Sequence, residues 1–405
     1  MMNSRLSTAN NIKLYVAPPT TAEIGAAYVR LALGVAQEAP QLLQAYLGPP
    51  EWREAVLAEP VSLEMLRTHG VAVATAIQKS DLPRNRQERL LRNVRALLWL
   101  IRALAGERVI FSEQVRLLLD LKPESVDEVF FQTAHDSLAE ALPGSTPLAE
   151  RWAGWQARQT IPAGVARPLL VEALETLREQ LGSGGLQTTE KLEIVETAGH
   201  GSLFYQPGEL HLPREAAVRV DRLYHLALQW GYGGVHSTYS ALARRYQAGE
   251  IENAVFLTLG PGQVIAQGLP LALLPGLDLY ATAIPDLLRA AGLPAEAGDR
   301  LQVIHAAEDM LQWGLANAAL LLHAENLRPR AIRRHLMTNA LWPRDMADDL
   351  LEELSDPVQA AHVFAPLIGG PLIRTWLAQG EHTVSSLLAD PPAPSTMVFE
   401  IRFGE

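Results

Sequence analysis

Apolar residues recur along most of this chain with the period of an α-helix. In residues 21–44, Ile24, Tyr28, Leu31, Val35 and Leu42 fall on one helical face behind a Thr-Ala-Glu start. Leu47-Gly48-Pro49-Pro50 then forms a turn that no helix can cross. Residues 87–105 carry the strongest stripe (Leu90, Leu91, Val94, Leu97, Leu98, Ile101, Leu104), which predicts a helix central to the core. Further helices are predicted over residues 112–121, 126–142, 148–159 and 165–181, divided by Lys122-Pro123 and Leu142-Pro143-Gly144-Ser145.

The pattern changes after Gly182-Ser183-Gly184-Gly185. Leu192, Ile194 and Val195 alternate with polar neighbours, and Gln206-Pro207-Gly208 is a turn signal between two extended runs. One small β-hairpin or ribbon is expected over residues 191–212. Helices resume at Ala216 and continue to about Leu388, and residues 397–403 read as a last short strand. The expectation is a mainly α protein with one β element. An N-terminal helical lobe (20–182) and a second lobe (183–390) pack as one unit, and a tail covers 391–405.

Composition removes several classes of function. The 405 residues hold 34 Lys and Arg against 45 Asp and Glu, a net charge of −11, which disfavours a nucleic-acid partner. With no cysteine, thiol catalysis and cysteine-bound zinc are excluded, and a metal would need the 11 histidines and the carboxylates. Residues 253–277 carry no charge, but Gly260, Pro261, Gly262, Gly268, Pro270, Pro275 and Gly276 would break a membrane span repeatedly. A buried core segment is expected there instead. The first twenty residues show no secretory pattern, so a cytoplasmic protein with no membrane partner is expected.

The segment most suggestive of chemistry runs from Val220 to His236. Leu223, Leu226, Ala227 and Trp230 form its apolar stripe, whereas Asp221, His225 and Gln229, four apart, share another face. Gly233-Gly234 then interrupts the helix, and His236 follows.

With its flanking blocks, this segment resembles a family of uncharacterised bacterial proteins whose central helix carries His-Glu-x-x-Pro-Gly-His-His. That family is read as zinc metallopeptidases related to helical carboxypeptidases. The resemblance includes Ala27-Tyr28-Val29-Arg30-Leu31-Ala32-Leu33, Ala45-Tyr46-Leu47-Gly48-Pro49-Pro50-Glu51 and Phe111-Ser112-Glu113-Gln114-Val115. It continues through Leu142-Pro143-Gly144-Ser145, Val220-Asp221-Arg222-Leu223 and Asn317-Ala318-Ala319-Leu320 with His323. It implies a large helical zincin-like architecture.

The motif itself is degenerate in this chain. The family's first zinc histidine falls on Gln229, its general-base glutamate on Trp230, and its paired histidines on Val235 and His236. The third ligand falls on Gln267, and Ala365-Pro366-Leu367-Ile368-Gly369-Gly370 lacks the expected tyrosine and arginine. A neutral amide is a poor zinc ligand, and tryptophan has no atom that can take a proton from water. The resemblance therefore implies a catalytically inactive homologue, a pseudo-peptidase without a cofactor. Its cleft would bind a peptide, a small ligand or a protein partner, and no oligomeric state is specified.

The candidate pocket comprises His200, His211, His225, Gln229, Tyr232, His236 and Gln267, with Gln229 and Gln267 expected to bond one another. An active metal-dependent hydrolase remains the rival, using zinc on His225 and His236 with His200, His211 or Glu308. A structural protein whose cleft is filled by Trp230 and Tyr232 is the third reading. Plainer assignments stand beside these. His225 reads as a hydrogen-bonded histidine on a half-buried face, and His236 as a relic. Glu308-Asp309 and the acidic run from Asp345 to Glu353 read as solvated helix faces. Arg328, Arg330, Arg333 and Arg334 read as a solvated patch or as partners of those carboxylates.

Overall fold

The Thr20 side chain accepts a hydrogen bond from the Glu23 backbone N–H, while the Glu23 carboxylate accepts one from the Thr20 N–H. This reciprocal cap starts the first helix, Thr21–Glu38, and Pro40 ends it. The computed structural model describes residues 19–186, 189–199, 203–294 and 296–403. The first helix packs on Leu63–Gln78 and Arg84–Leu104. Leu63–Gln78 carries no strong sequence stripe. It buries only Leu66, Gly70, Val73 and Ile77, one residue per turn, against that larger neighbour. The helices Phe111–Leu119, Glu128–Ala141, Leu148–Arg158 and Ala163–Ser183 follow, close to the predicted spans.

Of three small sheets, two join segments far apart in sequence. Phe204–Gln206 and Glu209–Pro213 form the expected hairpin, turning at Gly208 with φ 82°. Glu193–Thr197 adds to it in parallel, so the ribbon has three strands rather than two. Leu43–Tyr46 pairs antiparallel with Val255–Leu257, and Thr160–Pro162 with Ala217–Arg219. Both pairings cross the expected lobe boundary, and one contiguous buried cluster runs from Ile24 to Met397.

The expected terminal strand is instead the helix Pro394–Phe403. Its Met397 is fully buried, and Trp376 Nε1 donates to Glu400 at 2.6 Å, docking it on the Phe364–Leu377 helix. The uncharged stretch becomes a strand followed by the helix Pro261–Leu273, which packs closely on Phe364–Leu377. At that crossing a Cβ on Gly268 would lie 2.5 Å from the Gly369 carbonyl carbon, so only glycine permits the approach. Among the described residues no helix is long and apolar enough to cross a membrane.

The central segment opens as a 3-10 turn, Val220–Arg222, and continues as the helices Leu223–Trp230 and Val235–Gln247. The break between the two helices is built by glycine. Gly233 adopts φ 100°, and a Cβ on Gly234 would lie 2.0 Å from the Gln229 carbonyl oxygen. Ser237 Oγ accepts the Gly233 N–H at 2.9 Å and steadies the new helix start.

Candidate functional site

Charged side chains from two segments meet beside the central helix. Strand Ala217–Arg219 and the turn after it supply Arg219, Asp221 and Arg222. The helix Gly298–Leu311 supplies His305, Glu308 and Asp309, spaced three and four apart on one face. Arg219 grips both oxygens of Asp221, at 3.2 and 2.6 Å, and reaches Glu308 with its other amine. Arg222 Nε donates to Glu308 at 2.8 Å, and its Nη2 donates to Asp309 at 3.1 Å and to the His305 carbonyl at 3.2 Å. The Arg219 guanidinium also lies 5.4 and 5.3 Å from the stacked rings of Trp152 and Trp155.

These contacts define the protonation states. Burial alone would raise the Asp221 carboxyl, but the His305 hydrogen bond and Arg219 outweigh it and bring its pKa down to about 2. Burial likewise opposes the charge on Glu308, and Arg222 and Arg219 reverse that effect. His305 Nε2 lies 2.9 Å from Asp221 and its Nδ1 lies 3.0 Å from the Tyr280 hydroxyl. A carboxylate only accepts, so His305 carries its proton on Nε2 and accepts from Tyr280 on Nδ1. His225 Nδ1 lies 3.1 Å from Arg222 Nη1, a pure donor, so the neutral ring carries its proton on Nε2. Burial, followed by the Arg222 charge, lowers the His225 pKa well below the ordinary value and keeps the ring neutral.

This network forms one wall of an open cleft of about 850 Å³. Arg219, Arg222, His225, Gln229, Glu308 and Asp309 supply its polar side. Leu226, Leu271, Leu274, Met310, Leu367 and other apolar residues supply most of the remainder. Phe130 and Trp313 also line it and meet edge to face, with centroids 6.5 Å apart. Arg374 lines the cleft as an exposed residue, with no ion pair to any other described residue. That volume and that mixture of apolar surface with few polar groups suit a small-molecule site.

The structure divides the residues singled out from sequence. His225 and Gln229 line the cleft together, and Asp221 stands behind them with its side chain closed to solvent. His236 and Tyr232 turn elsewhere. His236 Nδ1 is 3.0 Å from the Tyr205 hydroxyl, its Nε2 is 3.1 Å from the Glu190 carbonyl, and Tyr232 donates to that same carbonyl. His211 stacks on Phe204 and pairs with Glu209 on the ribbon. Gln267 donates to Gln263 at 3.2 Å and lies 2.7 Å from His362 Nε2, so its partners are these two residues rather than Gln229. Trp230 and Val235 pack against the hydrophobic core. His200 lies outside the described residues.

The histidines proposed for a rebuilt metal site are therefore spread over separate environments. Among the described residues no group of three or more His, Asp or Glu side chains is placed to hold a metal ion. In the charged wall the carboxylates are turned onto guanidinium groups. Glu308 departs from the expected solvated face, being largely buried between two arginines, whereas Asp309 is exposed. The available signal was Arg219, Asp221 and Arg222 interrupting an apolar run, since charges entering a core need partners. Arg333 pairs with Asp348, joining the basic patch to the acidic run.

No family model matches the chain, and no curated protein matches it. Six solved chains are similar in structure, among them these two. One, from Shewanella oneidensis, is titled a "putative lipoprotein of unknown function"; it has a TM-score of 0.50 and 10% identity, covering 87% of this chain and 76% of that one. The other, a "putative lipoprotein" from Colwellia psychrerythraea, has a TM-score of 0.46 and 11% identity, covering 93% of this chain and 74% of that one. The first likeness is one of fold.

Proposed function

We propose that this protein is a non-catalytic relative of zincin-like helical metallopeptidases that binds a small, mostly apolar ligand bearing an acidic group. The observation that carries the reading is Gln229. It stands where the resemblance places the first zinc ligand, and it lines an open cleft of about 850 Å³. The amide can donate to or accept from a ligand but cannot offset the charge of an ion. Arg374 at the rim and the His225 Nε2–H offer hydrogen bonds to an anion, and the walls accept an apolar body. Trp230 packs on the core, leaving no proton acceptor at the position expected for the general base.

Metal analysis and a binding titration test the two halves separately. The purified chain is expected to hold no stoichiometric zinc, and one tightly held zinc per chain would overturn the inactive assignment. Anilinonaphthalene sulfonate, an apolar body with one anionic group, is expected to bind saturably at a single site. Ala306→Trp, which fills the cleft from its lining, should abolish that binding, and Arg374→Ala should weaken it. Saturable binding unchanged in both variants would overturn the binding site.

A further inference from the structure

We propose that a second, smaller chamber, separate from the cleft, binds a small molecule whose head group is an oxyanion, a carboxylate or a phosphate. The chamber encloses about 90 Å³ between Arg84–Leu104, Val235–Gln247 and the first turn of Pro261–Leu273, with residues 391–394 along one side. Thr238, Ala241, Leu242 and Arg245 lie three, four and seven residues along one helical face and all line it. Arg89, Asn93 and Ala96 line it from the other helix.

Two of these lining residues carry buried polar atoms that find no hydrogen-bond partner among the described residues. Thr238 is 7% exposed, and its buried Oγ1 makes no hydrogen bond to any described residue. Arg245 buries Nε and Nη1, and neither donates to any described residue. Buried polar groups are nearly always satisfied, so two such residues on one face imply an absent acceptor. The nearby carboxylates, Glu252 in the chamber wall among them, are held by other arginines. Arg86 holds both oxygens of Glu252 at 2.6 and 2.8 Å, and Arg89 holds Glu250 at 3.2 Å and Asp390 at 2.8 Å. Burial, followed by the repulsion of Arg89, pulls the Arg245 guanidinium down to about 10, although Glu250, Asp390 and Glu252 act in the opposite sense.

The rest of the chamber suits an anion carrying a short apolar body. Gly260 caps the Pro261–Leu273 helix, and a Cβ on Gly260 or Gly262 would meet nothing within 4 Å, so this end is uncovered. Pro261 has no N–H and the Gln263 N–H is donated to the Gly260 carbonyl, so this helix start favours negative charge mainly through its dipole. Tyr28, Leu90, Phe256, Leu259 and Leu388 supply apolar walls. At roughly 30 Å³ per water the space matches about three waters or one small acid, and the unpaired guanidinium donors select the acid.

Calorimetric titration of the full chain with sodium butyrate and, separately, with sodium phosphate at constant ionic strength tests the proposal. One of the two anions is expected to bind with unit stoichiometry, and the responding anion identifies the head group. Arg245→Met should weaken that binding at least about tenfold. Thr238→Val, nearly the same shape, should weaken it by a smaller factor with the folded circular dichroism spectrum retained, and it carries the comparison if Arg245→Met does not fold. No binding of either anion to the unaltered chain, or binding undiminished in the folded variants, would overturn the proposal.

Discussion

His305 Nε2 lies 2.9 Å from Asp221 Oδ2, and both side chains are closed to solvent. Tyr280 holds the other ring nitrogen, and Arg219 holds the other side of the carboxylate. The result is a continuous polar chain from Tyr280 through His305, Asp221 and Arg219 to Glu308, standing behind the cleft wall. Each member has at least one partner fixed by another, so removing one leaves a buried group exposed to its desolvation cost.

The first consequence concerns Asp221. Asp221→Asn removes the charge that faces Arg219 and His305 and should destabilise the fold by about 3–5 kcal/mol, as breaking a buried ion pair does. Tyr280→Phe removes one neutral hydrogen bond from the same chain and should cost only about 1–2 kcal/mol. Urea unfolding of the two variants checks the order, and equal losses would show that the carboxylate is not the centre of the network.

Acid should destabilise the protein in two stages. Burial, the largest influence, lowers the pKa of His225, His236, His305 and His362, so the unfolded chain takes up protons first. Stability is therefore full above the ordinary histidine pKa of 6.5 and declines as the pH falls below it. Asp221 acts later. Its carboxyl sits at about 2 against an ordinary 3.8, so its contribution is present above 3.8 and lost as the pH falls through about 2. That second stage is worth about 2 kcal/mol. Urea midpoints measured across this range should fall twice, and a midpoint constant between about pH 7 and about pH 5 would contradict the first stage.

Gln159 offers a substitution expected to stabilise. It is fully buried at the end of the Leu148–Arg158 helix, and neither its amide nitrogen nor its amide oxygen has a hydrogen-bond partner among the described residues. Its backbone carbonyl accepts the Val220 N–H at 2.9 Å, a bond that any residue would keep. Gln159→Met preserves the length of the side chain and removes the unsatisfied polar atoms. It should raise stability by about 1–2 kcal/mol, read as a higher urea midpoint. A lower midpoint would mean that ordered water satisfies the amide.

The helices and their order were legible because a periodic apolar stripe is a local property. Leu90, Val94, Leu97 and Ile101 declare one buried face without reference to anything outside their own helix. The glycine break after Trp230 was legible for the same reason, since Gly233 and Gly234 mark a turn before any neighbour is known. Residues 397–403 misled because Phe399, Ile401 and Phe403 alternating with Glu400 and Arg402 suits a strand. What decided for helix was docking onto the Phe364–Leu377 helix through Met397 and Glu400.

The site divides along the same line. That Asp221, His225 and Gln229 share a face followed from their spacing, and His225 and Gln229 do line one cleft. That Asp221 turns inward to His305, while Arg222 neutralises Glu308 and orients His225, required two segments more than eighty residues apart to meet. The apolar and glycine pattern by itself determined a helical body broken at one bend. Only the tertiary structure decided which charges face the cleft, because a carboxylate's role depends on the cation that reaches it through the core.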